Sequence, residues 1–332
     1  MYSNREASGP EEASIPTEGF VHQASIYGSD EEFMGVALPF VEEAIASGEP
    51  TLVAVPERNL ENLTRALDGA PPGVTLTSNR RWYETSAQTR EKFRRWVLEQ
   101  LDRDGDRRVR LIGEPPWAVG HEAQVRDWAR HESVLNVAFA EYPLTFICPY
   151  DARALPDEVI AHARSTHPQI AGPNGASESD AYEDPKEFCS RLDAEIEHPS
   201  GKPTVEVAFE VGDLPVIRRL IATSAMATGL ALPRVDELVL AINEIATNAL
   251  VHGRPPATLR IWRRGDELVC EVSDAGDGIK DVLAGQLAPA PGGVGGRGLW
   301  LTRLLCDAVE VTNGSGCTVS VHAATPDVTL DT

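Results

Sequence analysis

Long hydrophobic runs are missing from this chain. Nowhere in its 332 residues do roughly eighteen apolar residues stand in succession, so no segment reads as a membrane-spanning helix. Positive charge is scarce as well. Only 30 Lys and Arg stand against 51 Asp and Glu, a formal net charge of −21. Phosphate backbones demand the opposite sign, so direct nucleic-acid binding is not expected. The five cysteines, at 148, 189, 270, 306 and 317, form no CxxC and no Cys/His cluster at zinc-ligand spacing. They read as reduced, buried thiols of a cytoplasmic protein. A signal peptide is not expected either. Residues 1–18, MYSNREASGPEEASIPTE, have neither a basic start nor an apolar stretch and are expected to be a disordered tail. A second short tail is expected at 325–332.

What is present suffices for two domains, since 42% of the residues are hydrophobic. Residues 19–169 alternate short apolar runs with amphipathic stretches. Strands are expected at 21–27, 51–55, 74–77, 109–113 and 144–148, with helices between them at about 31–47, 57–68, 86–103, 122–139 and 156–165. Strict alternation implies an α/β domain whose mainly parallel sheet is covered on both faces. Residues 170–203, rich in Gly, Pro, Ser and acidic side chains, read as a linker carrying a short helix near 185–196. Residues 204–324 follow another pattern: strand, two helices, two strands, a Gly/Pro/Ala-rich loop at 275–298, a short helix and two closing strands. Helices segregated from a mainly antiparallel sheet make this second domain α+β.

Three features of the second domain carry chemistry. In the helix containing NEIATNALVHG, Val235, Leu238, Val239, Ile242, Ile245 and Ala249 mark the buried stripe. Glu244 and Asn248, four residues apart, project within about 40° of each other beside it. An Asn carbonyl oxygen suits Mg²⁺, and a Glu can take a proton from an attacking hydroxyl. Next, Asp274-Ala275-Gly276-Asp277-Gly278 follows the strand LVCEVS. A carboxylate at a strand end can accept the exocyclic amine of adenine, and Gly276 and Gly278 let the backbone approach the base. Last, GGVGGRGLWL places clustered glycines before a helix start, where free N–H groups cradle phosphates and Arg297 adds a charged fork. Each feature taken alone also fits a plain role: a solvated helix flank, a Gly-rich turn, a surface loop.

Their order resembles the GHKL group of ATPases, with its Bergerat-type ATP-binding sandwich. The resemblance covers about 120 residues. It makes Glu244–Asn248 the asparagine box and Asp274–Gly278 the adenine box. The glycine box is then Gly295, Gly296, Arg297, Gly298 and Leu299, the ATP lid is 279–296, and Thr318 lies near the adenine. The helix DLPVIRRLIATSAMATG upstream carries no phospho-acceptor His, unlike a histidine kinase, and a further lysine-supplying domain after the lid is not expected. The wording NEIATNALVHG and GGRGLWL is most similar to that of the anti-sigma-factor serine kinases. That resemblance implies ATP and Mg²⁺ as cofactors and a partner switch: the kinase sequesters a sigma factor and phosphorylates a Ser or Thr of a STAS-type anti-anti-sigma protein. It allows a homodimer. Two other readings stay open: an ATP-holding protein that sequesters a partner without turnover, and a histidine-kinase-like regulator.

In the first domain, HQASIYGSDEEF, NRRWYE, WARHESVLNVAF, ICPYDARALP and THPQI…YEDP resemble a MEDS-type sensory domain. The resemblance implies binding of a small organic signal. The residues themselves favour a binding module. Where a RecA-like domain would carry a phosphate loop, this chain has Gly28-Ser29-Asp30-Glu31-Glu32, the wrong charge for phosphate. Glu114, Cys148, Tyr150 and Asp151 stand at or just past strand ends, the edge where open α/β sheets bind ligands. Glu132 and Asn136 share a helix face, and His22 lies in the first strand. Each has a plainer reading as a buried thiol, a strand histidine or a solvated helix pair.

Overall fold

The computed structural model describes residues 19–104, 107–117, 121–289 and 296–324. The tails expected at 1–18 and 325–332 lie outside the described residues. The first unit runs β1 (Val21–Tyr27), α1 (Asp30–Ser47), β2 (Thr51–Val55), α2 (Glu57–Ala66), β3 (Val74–Ser78), α3 (Asn79–Trp82), α4 (Ser86–Asp104), β4 (Val109–Gly113), α5 (Glu122–Ala138), β5 (Leu144–Asp151), α6 (Asp157–Thr166), β6 (Gln169–Gly172), β7 (Gly175–Glu178) and α7 (Pro185–Ala194). The second runs β8 (Val205–Phe209), α8 (Leu214–Ala227), α9 (Leu232–Val251), β9 (Ala257–Arg264), β10 (Glu267–Asp274), α10 (Arg297–Leu305), β11 (Ala308–Asn313) and β12 (Cys317–Ala324).

Local chemistry sets the boundaries. Ser29 caps α1 by accepting from Glu32 N, and Gly48, at φ 66°, ends it in the left-handed region that glycine tolerates. The N-terminal sheet has the order β3-β2-β4-β5-β1-β6-β7 and is parallel except for the β6–β7 hairpin. Side chains alternate across its strands. Ala24, Phe146, Cys148 and Tyr150 therefore pack under α4 and α5, while Tyr27, Val53, Val55 and Ile147 face α1 and α2. The C-terminal sheet is antiparallel, β11-β12-β10-β9-β8, and its inner face buries Leu259, Ile261, Cys270, Val272 and Val321 against α8 and α9. These are the two fold classes expected from the sequence.

The expected linker at 170–203 is a correction. Gln169–Glu178 forms the hairpin that extends the first sheet, with Gln23 beside Gln169. The helix α7 buries Phe188, Cys189 and Leu192 against α5. The short helix was expected near 185–196, but polar composition concealed the hairpin: β7 is exposed at every position, so it needs no apolar alternation.

The two units share an interface of buried charge. Helix α5 lies along β11, and α4 lies along α10. Arg126 donates to Glu310 at 2.8 Å and Arg303 approaches Asp127 at 3.8 Å, while within the first unit Arg130 pairs with Asp193 of α7. Leu283 closes an apolar cluster with Ala129, Val134, Phe188, Cys189 and Leu192. Among the described residues no helix is long and apolar enough to cross a membrane.

Candidate functional site

A cavity of about 450 Å³ opens between α9, the ends of β10 and β12, and the start of α10. It is large enough for a small ligand. Its apolar wall is Ile245, Ala249, Val272, Leu299 and Val319, and its polar groups include Glu244, Asn248, Asp274 and Arg297. The helical spacing that places Glu244 and Asn248 together also keeps both only partly buried at the cavity wall. Among the described residues, neither a hydrogen bond nor an ion pair occupies the Glu244 carboxylate.

Asp274 ends β10, and its Oδ1 accepts from Gly276 N at 2.7 Å, which orients the carboxylate and leaves acceptor capacity on its other oxygen. Two glycines make room for it. A Cβ on Gly253 would stand 2.3 Å from Asp274 Cγ, and one on Gly276 would stand 2.7 Å from Oδ1. Gly253 is a site residue that sequence reasoning missed; its signal is the glycine that ends NALVHG directly after the α9 box. His252 beside it also lines the cavity. Across the cavity Gly298 passes the α9 pair so closely that a Cβ there would lie 2.9 Å from Asn248 Nδ2 and 3.2 Å from Glu244 Oε2. Gly278 lines the wall at φ 74°, and Gly296 caps α10 at φ 75°. Gly296, Arg297, Gly298 and Leu299 thus bring the first turn of α10 to the cavity, and a helix start suits an anion. Gly295 lies outside the described residues, as do 290–294 before it.

Thr318 is a correction. It pairs with Ser273 and, with Glu271 and Arg260, lines a cleft on the outer face of the sheet. Its neighbours Cys317 and Val319 face the cavity instead. The period of two decides this: one step along a strand reverses the face. Burial pushes the Cys317 thiol up to about 11, so it meets the cavity as a neutral group.

The arrangement fits a nucleotide with its metal. It offers a strand-end carboxylate over an apolar slot, a carboxamide oxygen for a hard cation, and a helix start with a guanidinium for phosphates.

The first half of the loop that closes the cavity is held by the first unit. Gln286 is buried, and its backbone carbonyl accepts from Arg90 Nη2 of α4. Leu283, three residues earlier, lies in the shared apolar cluster. Burial lowers the Arg90 guanidinium to about 10, against the opposing pull of Asp127.

The candidates in the first unit separate into two places, not one strand-end pocket. Glu114 and Asp151 line a pocket of about 270 Å³ at the carboxyl ends of the strands, with Tyr27, Asn59, Trp117 and Arg153. Tyr27 donates to Glu114 Oε1 at 2.9 Å and Asn59 to Oε2 at 3.2 Å. Burial outweighs those bonds and raises the Glu114 carboxyl to about 7. Arg153 pairs with Asp151 at 2.7 Å. His22, Glu132, Asn136 and Cys148 instead meet under the α5 face, because His22 and Cys148 point to the side of the sheet opposite Tyr27. Tyr150 lies on that side too, its ring edge-on to His167 at 5.7 Å. His167 is the member that sequence reasoning missed.

A comparison with curated proteins finds no match. Among solved structures, the RsbU and RsbW domains of Rv1364c from Mycobacterium tuberculosis are similar at 16% identity with a TM-score of 0.28, over 42% of this chain and 42% of that one. This chain therefore spans less than half the length of that structure. Residues 21–168 match the family described as MEthanogen/methylotroph, DcmR Sensory domain, and residues 207–322 match the Histidine kinase-like ATPase domain. The chain is thus a fusion of an N-terminal MEDS domain with a C-terminal ATPase domain of the GHKL type.

Proposed function

We propose that the protein is a sensor-regulated anti-sigma factor that binds ATP with Mg²⁺, phosphorylates a Ser or Thr of a STAS-type partner, and sequesters a sigma factor. The observation that carries the catalytic part is the close approach of Gly298 to Glu244 and Asn248, at the helix start suited to phosphates. This reading puts a general base and a metal-binding carboxamide at the phosphate end of the cavity. Bound ATP with Mg²⁺ supplies the transferable phosphoryl group. Asn248 would hold the metal ion, Arg297 and the first amides of α10 would hold the phosphates, and Asp274 would accept from the adenine amine. Glu244 takes the proton of the incoming hydroxyl. Phosphoryl transfer rests on positioning and charge more than on covalent chemistry, so these few groups suffice.

Support for regulation comes from Arg90 on Gln286, since a signal that shifts α4 or α5 alters the segment closing the cavity. The small organic signal is assigned to the strand-end pocket around Glu114 and Asp151. The test combines the full chain with labelled ATP, Mg²⁺ and a STAS partner. Label on a Ser or Thr of that partner is expected, and a complex with a sigma factor that the unphosphorylated partner breaks. ATP binding with no label on any STAS protein would leave the non-turnover sequestering reading in its place. Label on a histidine of this chain would favour a histidine-kinase-like regulator.

A further inference from the structure

Four buried donors meet beneath the N-terminal sheet, supplied by β1, α5, β5 and the residue after α6. His22 Nε2 lies 3.4 Å from Cys148 Sγ and 3.5 Å from Glu132 Oε2, and His167 Nε2 lies 3.5 Å from the same oxygen. All four donor atoms fall within 4.8 Å of one another. No member is more than 2% exposed.

The hydrogen bonds around the cluster fix which ring atoms face it. His167 Nδ1 lies 2.8 Å from the Ala163 carbonyl oxygen, which only accepts, so Nδ1 carries the proton and neutral Nε2 presents a lone pair. The Asn136 amide donates to the Thr166 and Ser133 carbonyls at 2.8 and 3.1 Å. Its Oδ1 is then the acceptor for His22 Nδ1–H at 3.1 Å, and His22 Nε2 also presents a lone pair. Two imidazole lone pairs, a carboxylate oxygen and a sulfur therefore converge. Glu132 Oε2 and His167 Nε2 have no hydrogen-bond partner although both are buried. Buried polar atoms are almost always satisfied, and acceptors that face each other ask for a cation. The 3.5 Å separations from imidazole to carboxylate are longer than a good hydrogen bond, so a shared proton does not close them.

We propose that His22, Glu132, Cys148 and His167 bind a divalent transition-metal ion of the zinc class, enclosed in the N-terminal domain and separate from the nucleotide cavity. Two nitrogens, a thiolate and a carboxylate suit a tetrahedral zinc ion and disfavour the all-oxygen preference of Mg²⁺ or Ca²⁺. At bond lengths of about 2.0–2.3 Å, tetrahedral ligands stand roughly 3.3–3.8 Å apart. The three contacts already cited lie in that range, and the widest pair need close by only about 1 Å. Carboxylate and thiolate balance the two positive charges, and binding releases the thiol proton to solvent. Asn136 and the Ala163 carbonyl are the outer partners that orient metal-binding imidazoles.

The test strips the full-length protein with a strong chelator and titrates it with Co²⁺ alone. One equivalent per chain is expected to give a thiolate-to-cobalt charge-transfer band and the intense visible bands of a tetrahedral ion, both displaced by Zn²⁺. Cys148→Ser removes the charge-transfer band. His167→Gln weakens binding by at least the ~10–100-fold that loss of an outer partner costs, and Asn136→Ala by about that amount. Circular dichroism checks that each variant is folded. If Cys148→Ser does not fold, the other two variants map the site. A wild-type chain that takes up no metal, or only octahedral Co²⁺ without a sulfur band, overturns the proposal. So does a sulfur band that survives in folded Cys148→Ser, or Co²⁺ affinity unchanged in folded His167→Gln.

Discussion

The guanidinium of Arg90, on a helix of the MEDS domain, holds the backbone carbonyl of Gln286 in the loop that closes the ATPase cavity. One side chain of the first domain thereby holds a point of the loop beside the other domain's cavity. Hydrogen bonds to charged groups are worth about 1.5–3 kcal/mol. Arg90→Ala is expected to destabilise the full chain by that amount and to speed hydrogen exchange at 279–289. Arg90→Lys restores little, because an ammonium lacks the planar fork. Unchanged exchange at 279–289 in folded Arg90→Ala would remove the coupling.

Gly253→Ala is expected to damage nucleotide binding although Gly253 itself is given no contact to ATP. Its new Cβ falls on the Asp274 carboxylate, so the carboxylate must move. Calorimetry should give ATP affinity reduced by about 1–3 kcal/mol, as for Asp274→Asn, and the two losses should not add. Full additivity would mean that Gly253 acts by another route.

Glu244→Gln tests the proton acceptor directly. The amide keeps the shape of the side chain but cannot serve as a base, so ATP affinity should hold while phosphoryl transfer falls by ~10²–10⁴. Single-turnover measurement with saturating ATP separates the two. A variant that transfers at the parental rate would place the base elsewhere.

His322 predicts a loss of stability in alkali. Burial opposes its charge, but Glu267 and Glu310 on either side overcome that and hold the imidazole at about 9. A folded value above the unfolded one contributes stability that is complete below about pH 6.5 and lost as the pH rises through about 9. The amount is on the order of 3 kcal/mol. Urea unfolding from pH 6 to 10 should show this decline in the wild type and a flatter profile in His322→Gln. Arg126, which also pairs with Glu310, carries the effect to the domain interface.

Elements were legible in the sequence where pattern and period agree. The five expected strands and five expected helices of the first domain lie where the structure has them, within a few residues, because short apolar runs alternate there with amphipathic stretches. Glu244, Asn248, Asp274 and the glycines from 296 to 298 were legible as one cavity because helix spacing and strand ends fix neighbours locally. Three things were not. The β6–β7 hairpin has no apolar alternation to read. The face taken by Thr318 depends on a register that only pairing sets. His167 joins His22, Glu132 and Cys148 from four separate elements, so no local spacing announces the cluster.

Helix α5 faces two ways. Glu132 and Asn136 look into the MEDS core, while Arg126, Asp127 and Arg130 meet partners on β11, α10 and α7. The two domains are consequently not interchangeable parts. A chimera that grafts another sensory domain ahead of residue 204 would leave Glu310 and Arg303 buried against a foreign surface with no opposite charge. An exchange that keeps the ATPase domain folded must carry the outward face of α5, together with α7, across the graft.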